Sequence, residues 1–100
     1  MKVAFSHVAE QDLESLLSYI NNELQNPIAS ENIGVKLLHR IQSLESFPEI
    51  EAGLGSIDHR LSGYRYLVVD NYLVIYKVAD QVSVIRILYA RSDYVQLLQG

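Results

Sequence analysis

The chain has 100 residues, which is the size of a single domain over residues 1–100 and leaves no room for a second hydrophobic core. Hydrophobic residues make up 49% of it, so we expect a packed interior rather than a disordered chain. The absence of cysteine excludes disulfides, thiolate zinc sites and a cysteine nucleophile. The sequence shows no signal peptide and no apolar run of membrane-spanning length, so we expect a cytoplasmic protein without membrane contact.

The net charge of −4 is unevenly distributed along the chain. Residues 1–57 hold three basic and eight acidic residues, whereas residues 58–100 hold five basic and four acidic ones. Four of the five arginines therefore lie in the C-terminal part. An acidic protein gains little from non-specific attraction to phosphates, so any contact with nucleic acid would depend on a local basic patch.

The N-terminal residues predict a short strand followed by a helix. Residues 2–6 alternate polar and apolar side chains, which is the pattern of a strand. Ser6 is suited to cap a helix, and we expect this first helix to run from about Val8 to Leu24. Its apolar stripe consists of Ala9, Leu13, Leu16, Leu17, Ile20 and Leu24.

The segment Gln25-Asn26-Pro27 ends the first helix and begins a second one. Asn26 can cap the second helix, and Pro27 fits its first position because the N–H group that proline lacks has no helical partner there. We expect this helix to end near Ser46, and the short connection makes the two helices an antiparallel hairpin. Its apolar stripe consists of Ala29, Ile33, Leu37, Leu38, Ile41 and Leu44.

Three apolar segments in the second half predict β-strands in series. They follow a polar segment that we expect to be a loop (residues 48–62), and they are Tyr64–Val69, Tyr72–Val78 and Val82–Tyr89. Asp70-Asn71 has the length of a tight hairpin turn between the first two strands. The predicted fold class is α+β in the order β-α-α-β-β-β. The helical hairpin would pack on one face of a small antiparallel sheet, and the other face would be open to water or a ligand.

Arginine and tyrosine side chains among these strands are the candidate binding groups. Alternation places Arg86 on the exposed face of the sheet, beside Arg65 across the strands, where two guanidinium groups would form an anion site. Tyr89 and Tyr94 lie at the end of the sheet, and of the seven tyrosines these two are the candidates for a binding or catalytic role.

The other aromatic and titratable side chains predict packing rather than chemistry. Tyr72 and Tyr76 are four residues apart in one strand and share a face, so we expect both in or beside the core. Tyr19 is expected to pack on the first helix. The three histidines lie in different predicted elements with no carboxylate at ligand spacing, so we expect no metal site and no cofactor. They are His7, His39 and His59.

Several short motifs follow one another along nearly the whole chain. The helices contain Ala9-x-x-Asp12-Leu13, Tyr19-Ile20 and Leu44-x-x-Phe47-Pro48. The strands contain Tyr64-Arg65-x-Leu67, Asn71-Tyr72-Leu73-Val74-Ile75-Tyr76 and Ile85-Arg86-Ile87-Leu88-Tyr89-x-Arg91-x-Asp93. In this order and spacing the sequence resembles the RelE/ParE superfamily, which is the toxin half of type II toxin–antitoxin pairs.

The resemblance implies a growth-inhibitory protein that a cognate antitoxin neutralises. In such families the C-terminal segment of the antitoxin typically wraps the toxin with a helix and an added strand, a mode that suits an open sheet face and an exposed edge strand. Antitoxin tails in such families are often acidic, which suits the arginines of this chain. The resemblance implies that any contact with DNA is indirect, through the antitoxin.

The superfamily divides according to its target. ParE-like members inhibit DNA gyrase, and RelE-like members are ribosome-dependent endoribonucleases that cut mRNA. RNA cleavage needs a base, a cation and an acid, and the matching residues here are Arg65 as the cation, with Arg91 and Tyr94 near the acid or base of the nuclease members. Tyr89 occupies a position that is histidine in many relatives, and a tyrosine of ordinary pKa is a poor general base.

We therefore favour ParE-like inhibition of gyrase, in which the protein is not an enzyme and Arg65, Arg86 and Tyr89 bind the target or the antitoxin. Two alternatives stay open. One is a RelE-like mRNA endoribonuclease that uses the three catalytic candidates above, with Glu49 or Glu51 as a substitute base. The other is an inactive module that only binds an antitoxin on the same scaffold.

Overall fold

The computed structural model describes residues 1–48, 63–91 and 98. Its elements are strand β1 (Val3–Phe5), helix α1 (His7–Ser18), helix α2 (Pro27–Gln42) and strands β2 (Arg65–Val69), β3 (Tyr72–Val78) and β4 (Val82–Tyr89). The α+β class and the predicted order of elements are confirmed, with two helices packed on one four-stranded sheet. Residues 49–62 of the predicted loop lie outside the described residues.

Both predicted helix caps are confirmed. Ser6 Oγ accepts a hydrogen bond of 3.0 Å from the N–H group of Ala9, and Asn26 Oδ1 accepts one of 3.1 Å from the N–H group of Ala29. Pro27 lies in the first turn of α2, where the missing N–H group leaves no helical bond unmade. Local sequence alone thus determines where each helix begins.

The end of α1 differs from the prediction. After Ser18 the chain continues as a π-helix, Tyr19–Glu23, in which the N–H group of Leu24 donates to the carbonyl of Tyr19 at 3.1 Å. A π-turn bonds over five residues instead of four, so it changes the side on which the following residues lie. Leu24, predicted to belong to the buried stripe, is consequently 56% exposed.

Helix α2 buries most of its predicted stripe and ends in one 3₁₀ turn, Ser43–Glu45. Leu38 is an exception at 42% exposed, because it lies further round the helix than its neighbour Leu37. Gly34 faces α1 closely: a Cβ atom built on it would lie 3.4 Å from a methyl group of Leu17. The stripe residues that are buried are Ile33, Leu37, Ile41 and Leu44.

The four strands form a mixed sheet in the order β1-β4-β3-β2. β2, β3 and β4 are antiparallel neighbours, as predicted, and the Asp70-Asn71 turn lies between the paired residues Val69 and Tyr72. β1 pairs in parallel with β4, so the sheet is not wholly antiparallel. Two helices and two strands separate β1 from β4 in sequence, so no tight turn requires them to run in opposite directions.

β4 contains an irregularity that the alternation of its residues does not reveal. Tyr76 of β3 pairs with Val84, and Ile75 pairs with Arg86, so Ile85 has no counterpart on β3. This extra residue is a β-bulge, and it shifts the alternation of sides for every residue that follows.

The sheet is apolar on both sides. The main core lies between the helices and the sheet, and its sheet residues are Leu67, Val69, Val74, Tyr76, Val82, Val84 and Ile87. A second cluster contains the buried Leu73, Ile75 and Leu88, with Tyr64, Tyr66 and Leu98 packed against it. Because side chains of a strand alternate between faces, this second cluster occupies the face away from the helices. The prediction that this face is open to water or a ligand is therefore wrong at Leu73, Ile75 and Leu88, which are buried.

Candidate functional site

Asp12 of α1 joins the helix to the exposed edge of β4. Its carboxylate accepts hydrogen bonds from Arg86 Nε at 2.8 Å, from Arg86 Nη2 at 3.0 Å and from the N–H group of Ile87 at 3.0 Å. Ser6 Oγ donates to the carbonyl of Ile85 at 2.8 Å on the same edge. β1 ends before these residues, so side chains from α1 take the place of a continuing strand.

Arg86 is held in an ion pair and is not part of an arginine cluster. The Arg86 and Asp12 side chains are only 22% and 14% exposed. The hydrogen bonds that Arg86 donates to Asp12 raise the pKa of the guanidinium above its ordinary value, despite the opposing effect of burial. The bulge aligns Arg86 with Ile75, whereas Arg65 is aligned with Tyr76 on the helix side. The prediction that the two arginines share one exposed face is therefore wrong.

Arg65 and the candidate residues Tyr89 and Arg91 lie at opposite ends of the sheet. It begins β2 level with Tyr76, whereas Tyr89 ends β4 level with Tyr72. Four residues along β3 and two strand spacings separate these positions, so the Cα atoms of Arg65 and Tyr89 are roughly 16 Å apart. Arg91 follows β4 in the turn beyond Tyr89 and is exposed. The fold therefore does not bring Arg65 and Arg91 together.

Tyr89 belongs to a cluster of three tyrosines. Its ring meets the ring of Tyr72 edge to face, with centroids 6.1 Å apart and planes at 67°. Tyr19, which the sequence predicts to pack on the first helix, is 55% exposed. Together the three rings line a groove with a cavity volume of about 670 Å³. The other lining residues are Asp12, Ser15, Leu16, Leu24, Asn71 and Ile87.

The half-buried Tyr72 lines this groove, which we name the tyrosine groove. Burial is the main reason that the pKa of the Tyr72 phenol is raised, and the neighbouring Tyr89, Tyr19 and Asp70 raise it further. A second, smaller groove of about 350 Å³ shares Leu24, Asn71 and Tyr72 with it and extends towards α2. The position of Tyr72 beside the core, and the full burial of Tyr76 within it, are as predicted.

The remaining predictions concern residues outside the described part, metal binding and membrane contact. Tyr94, Glu49, Glu51 and His59 lie outside residues 1–48, 63–91 and 98. Within those residues, no group of three His, Cys, Asp or Glu side chains lies close enough to hold a metal ion. None of the described helices has the length and apolar character needed to cross a lipid bilayer.

Sequence reasoning missed two residues that organise this region. Asp12 was part of a helix motif, but nothing in its neighbourhood indicates a partner 74 positions away. Tyr19 lies three residues after Leu16 and four after Ser15, and both of these residues line the same groove. The signal that could have identified Tyr19 is this spacing, because residues three and four apart share one side of a helix.

Comparisons with known proteins agree with this geometry. The family model described as the ParE toxin of type II toxin-antitoxin system, parDE, matches residues 3–94. A solved structure described as the chromosomal ParDE TA system from P. aeruginosa superposes with a TM-score of 0.76 at 17% identity, covering 91% of this chain and 97% of that chain. At this identity the likeness shows the fold alone. No curated protein matches the chain significantly. Because the family model spans nearly the whole sequence, this chain belongs to the ParE toxin family of type II toxin–antitoxin systems.

Proposed function

We propose that this toxin stops growth by inhibiting DNA gyrase, with residues 1–100 acting as one domain, and that a cognate antitoxin neutralises it. The observation that carries the proposal is the match of the ParE toxin family model to residues 3–94. The solved relative is described as a ParDE toxin–antitoxin system, and this favours an antitoxin as the partner of the present chain.

The placement of the arginines supports binding rather than RNA cleavage. A ribonuclease needs its cation and its acid or base within hydrogen-bond reach of one phosphate. Arg65 and Arg91 lie at opposite ends of the sheet, and Arg86 donates both of its described hydrogen bonds to Asp12. Such an arrangement suits a toxin that acts by occupying a surface of its target.

The edge strand β2 is the proposed place where the antitoxin adds a strand. Within the described residues β2 pairs only with β3, so its other edge presents backbone groups for pairing. Val68 in this strand is 47% exposed, and an added strand would cover it. Arg65 at the start of β2 would then lie beside the incoming segment, which suits an acidic antitoxin tail.

Purified toxin tested in a gyrase supercoiling assay gives the direct test. We expect it to block supercoiling of relaxed plasmid, and we expect the antitoxin encoded beside it to restore the activity. Induction of the chain in bacteria should stop growth while translated mRNA stays intact in primer extension. In these assays Lys2→Ala is the matched control for Arg65→Ala, because it removes an exposed positive charge beside β1, at the opposite edge of the sheet from β2.

Other outcomes would select the alternatives. Cuts in translated mRNA that disappear with Arg65→Ala, together with unaffected gyrase, would assign the chain to the nuclease branch. Antitoxin binding without growth arrest and without inhibition of gyrase would identify an inactive binding module.

A further inference from the structure

The tyrosine groove has no arginine and no β2 residue in its lining, and of the sequence-predicted site residues that the structure describes, only Tyr89 lines it. Tyr19 enters it from the π-helix, and Tyr72 and Tyr89 enter it from neighbouring strands. Tyr19 and Tyr89 are 55% and 47% exposed. Large aromatic side chains that stay exposed around one cavity are more typical of a binding site than of core packing.

The irregular end of α1 is what shapes this groove. Tyr19 follows the last residue of α1, and the π-helix places Leu24 on the rim, whereas Leu24 would lie in the buried stripe of a regular helix. Single π-turns inside helices occur frequently at functional sites. The irregularity therefore points to the same cavity as the exposed aromatic rings.

The chemistry of the lining favours a cation over an anion. The described lining residues include one carboxylate, Asp12, and no lysine, arginine or histidine. Arg86 already balances the charge of Asp12, so the attraction for a cation comes from the electron-rich ring faces and the phenol oxygens.

The shape of the lining favours arginine over a compact cation. A guanidinium group is planar and stacks on an aromatic face, and its three-carbon stem is apolar. Leu16 and Leu24 offer apolar contact for the stem, while Ser15 and Asn71 carry side-chain oxygens that can accept from guanidinium N–H groups.

We infer that the tyrosine groove binds an arginine side chain of the antitoxin. This inference rests on the proposed function, because it takes the antitoxin as the partner. It assigns the partner two contacts of different chemistry: a strand along β2 and a basic anchor between Tyr19, Tyr72 and Tyr89. The two contacts lie on different parts of the fold, so the antitoxin would pass around the end of the sheet.

The anchor can be tested without the antitoxin by NMR titration of the isotopically labelled chain. The probe is Nα-acetyl-arginine methylamide, and its neutral control is the citrulline analogue, which has nearly the same shape without the charge. We expect the arginine probe to shift the ring signals of Tyr19, Tyr72 and Tyr89, and the citrulline probe to bind at least about threefold more weakly. Equal binding of both probes, or no shift of these rings, would overturn the inference.

Variants then connect the groove to the partner. Tyr19→Ala and Tyr89→Ala remove exposed rings, and Val35→Ala is a control, since Val35 is 63% exposed on α2. We expect each tyrosine variant to weaken both the arginine probe and the neighbouring-gene antitoxin by about threefold or more, with the control unchanged. A backbone amide spectrum confirms that each variant is folded. Unchanged antitoxin affinity in both folded tyrosine variants would overturn the assignment of the antitoxin.

Failure of the proposed function gives a different pattern. If the chain binds the arginine probe in the groove but neither stops growth nor inhibits gyrase, the cation site is supported and the proposed toxin mechanism is wrong. If the chain inhibits gyrase but does not bind the arginine probe, the proposed function is supported and only the inference about the groove is wrong.

Discussion

Asp12 and Arg86 are 74 positions apart in the sequence, and two hydrogen bonds of 2.8 Å and 3.0 Å join them in the folded protein. The same carboxylate accepts a hydrogen bond of 3.0 Å from the backbone of Ile87. Asp12 therefore connects α1 to both the side chains and the backbone of β4. Its loss leaves a partly buried cation and a backbone N–H group without their acceptor.

We predict that Asp12→Ala lowers the free energy of unfolding by about 2–3 kcal/mol, because it removes a charged acceptor of three hydrogen bonds. Asp12→Ala combined with Arg86→Met should cost less than the sum of the two single changes, since the double variant leaves no unpaired guanidinium. Urea unfolding of the four proteins measures both quantities.

Glu14→Ala is the control for this cycle, because Glu14 is an exposed acidic residue of the same helix. We expect it to change the free energy of unfolding by no more than about 0.5 kcal/mol. Strictly additive effects of the Asp12 and Arg86 changes would contradict the interpretation that the two side chains act as a pair.

The two helix caps predict unequal costs of removal. Ser6→Ala loses the cap of α1 and also the hydrogen bond of 2.8 Å to the carbonyl of Ile85, whereas Asn26→Ala loses only the exposed cap of α2. We expect Asn26→Ala to lower the free energy of unfolding by about 1 kcal/mol and Ser6→Ala by about 2 kcal/mol. Thermal or urea unfolding distinguishes them, and equal costs would mean that the Ile85 contact contributes nothing.

Gly34 offers a stabilising substitution. A Cβ atom there would make ordinary van der Waals contact with Leu17 at 3.4 Å, and alanine is a better helix former than glycine. We expect Gly34→Ala to raise the free energy of unfolding by about 0.5–1 kcal/mol. Gly34→Val is the counterpart: its branched side chain exceeds this space and should lower stability by about 1–3 kcal/mol. A destabilising Gly34→Ala would show that Leu17 cannot accommodate the added methyl group.

Tyr72 predicts a loss of stability at alkaline pH. Burial first, and then Tyr89, Tyr19 and Asp70, raise the pKa of its phenol above the ordinary value of 10.0, so the folded protein holds this proton more tightly than the unfolded chain. The resulting contribution to stability is fully present below pH 10.0 and is lost as the pH rises through the raised pKa.

We therefore expect the wild type to lose more stability than Tyr72→Phe between about pH 9 and about pH 11. Phenylalanine keeps the ring in place and removes only the group that titrates. Urea unfolding at the two pH values provides the measurement. Equal losses in the two proteins would contradict a raised pKa for Tyr72.

The features that depend on a few neighbouring residues were predicted correctly. Ser6 and Asn26 cap their helices because a side-chain oxygen reaches an N–H group three positions later. The Asp70-Asn71 turn joins two strands because two residues suffice to reverse the chain, with Asp70 at a φ of 54°. Helix positions, strand positions and the fold class follow from such local rules and from the periodicity of apolar residues.

The candidate site could not be derived in the same way. Strict alternation along β4 puts Arg86 on the same side as Val82 and Val84, but the unmatched Ile85 moves it to the side of Ile75, away from Arg65. The π-helix has a similar effect at Leu24, which it moves from the predicted stripe to the rim of a groove. A bulge or a π-turn changes the side on which the following side chains lie, and the apolar pattern of the segment does not reveal it.

By itself, the sequence determined the helices, their caps, the hairpin turn and the α+β arrangement, because each depends on energies between residues close together in the chain. Only the tertiary structure decided that Asp12 holds Arg86, that β1 runs parallel to β4, and that three tyrosines from distant segments share one groove. These relationships arise when elements far apart in sequence pack together. Their energies depend on distances that exist only in the folded chain.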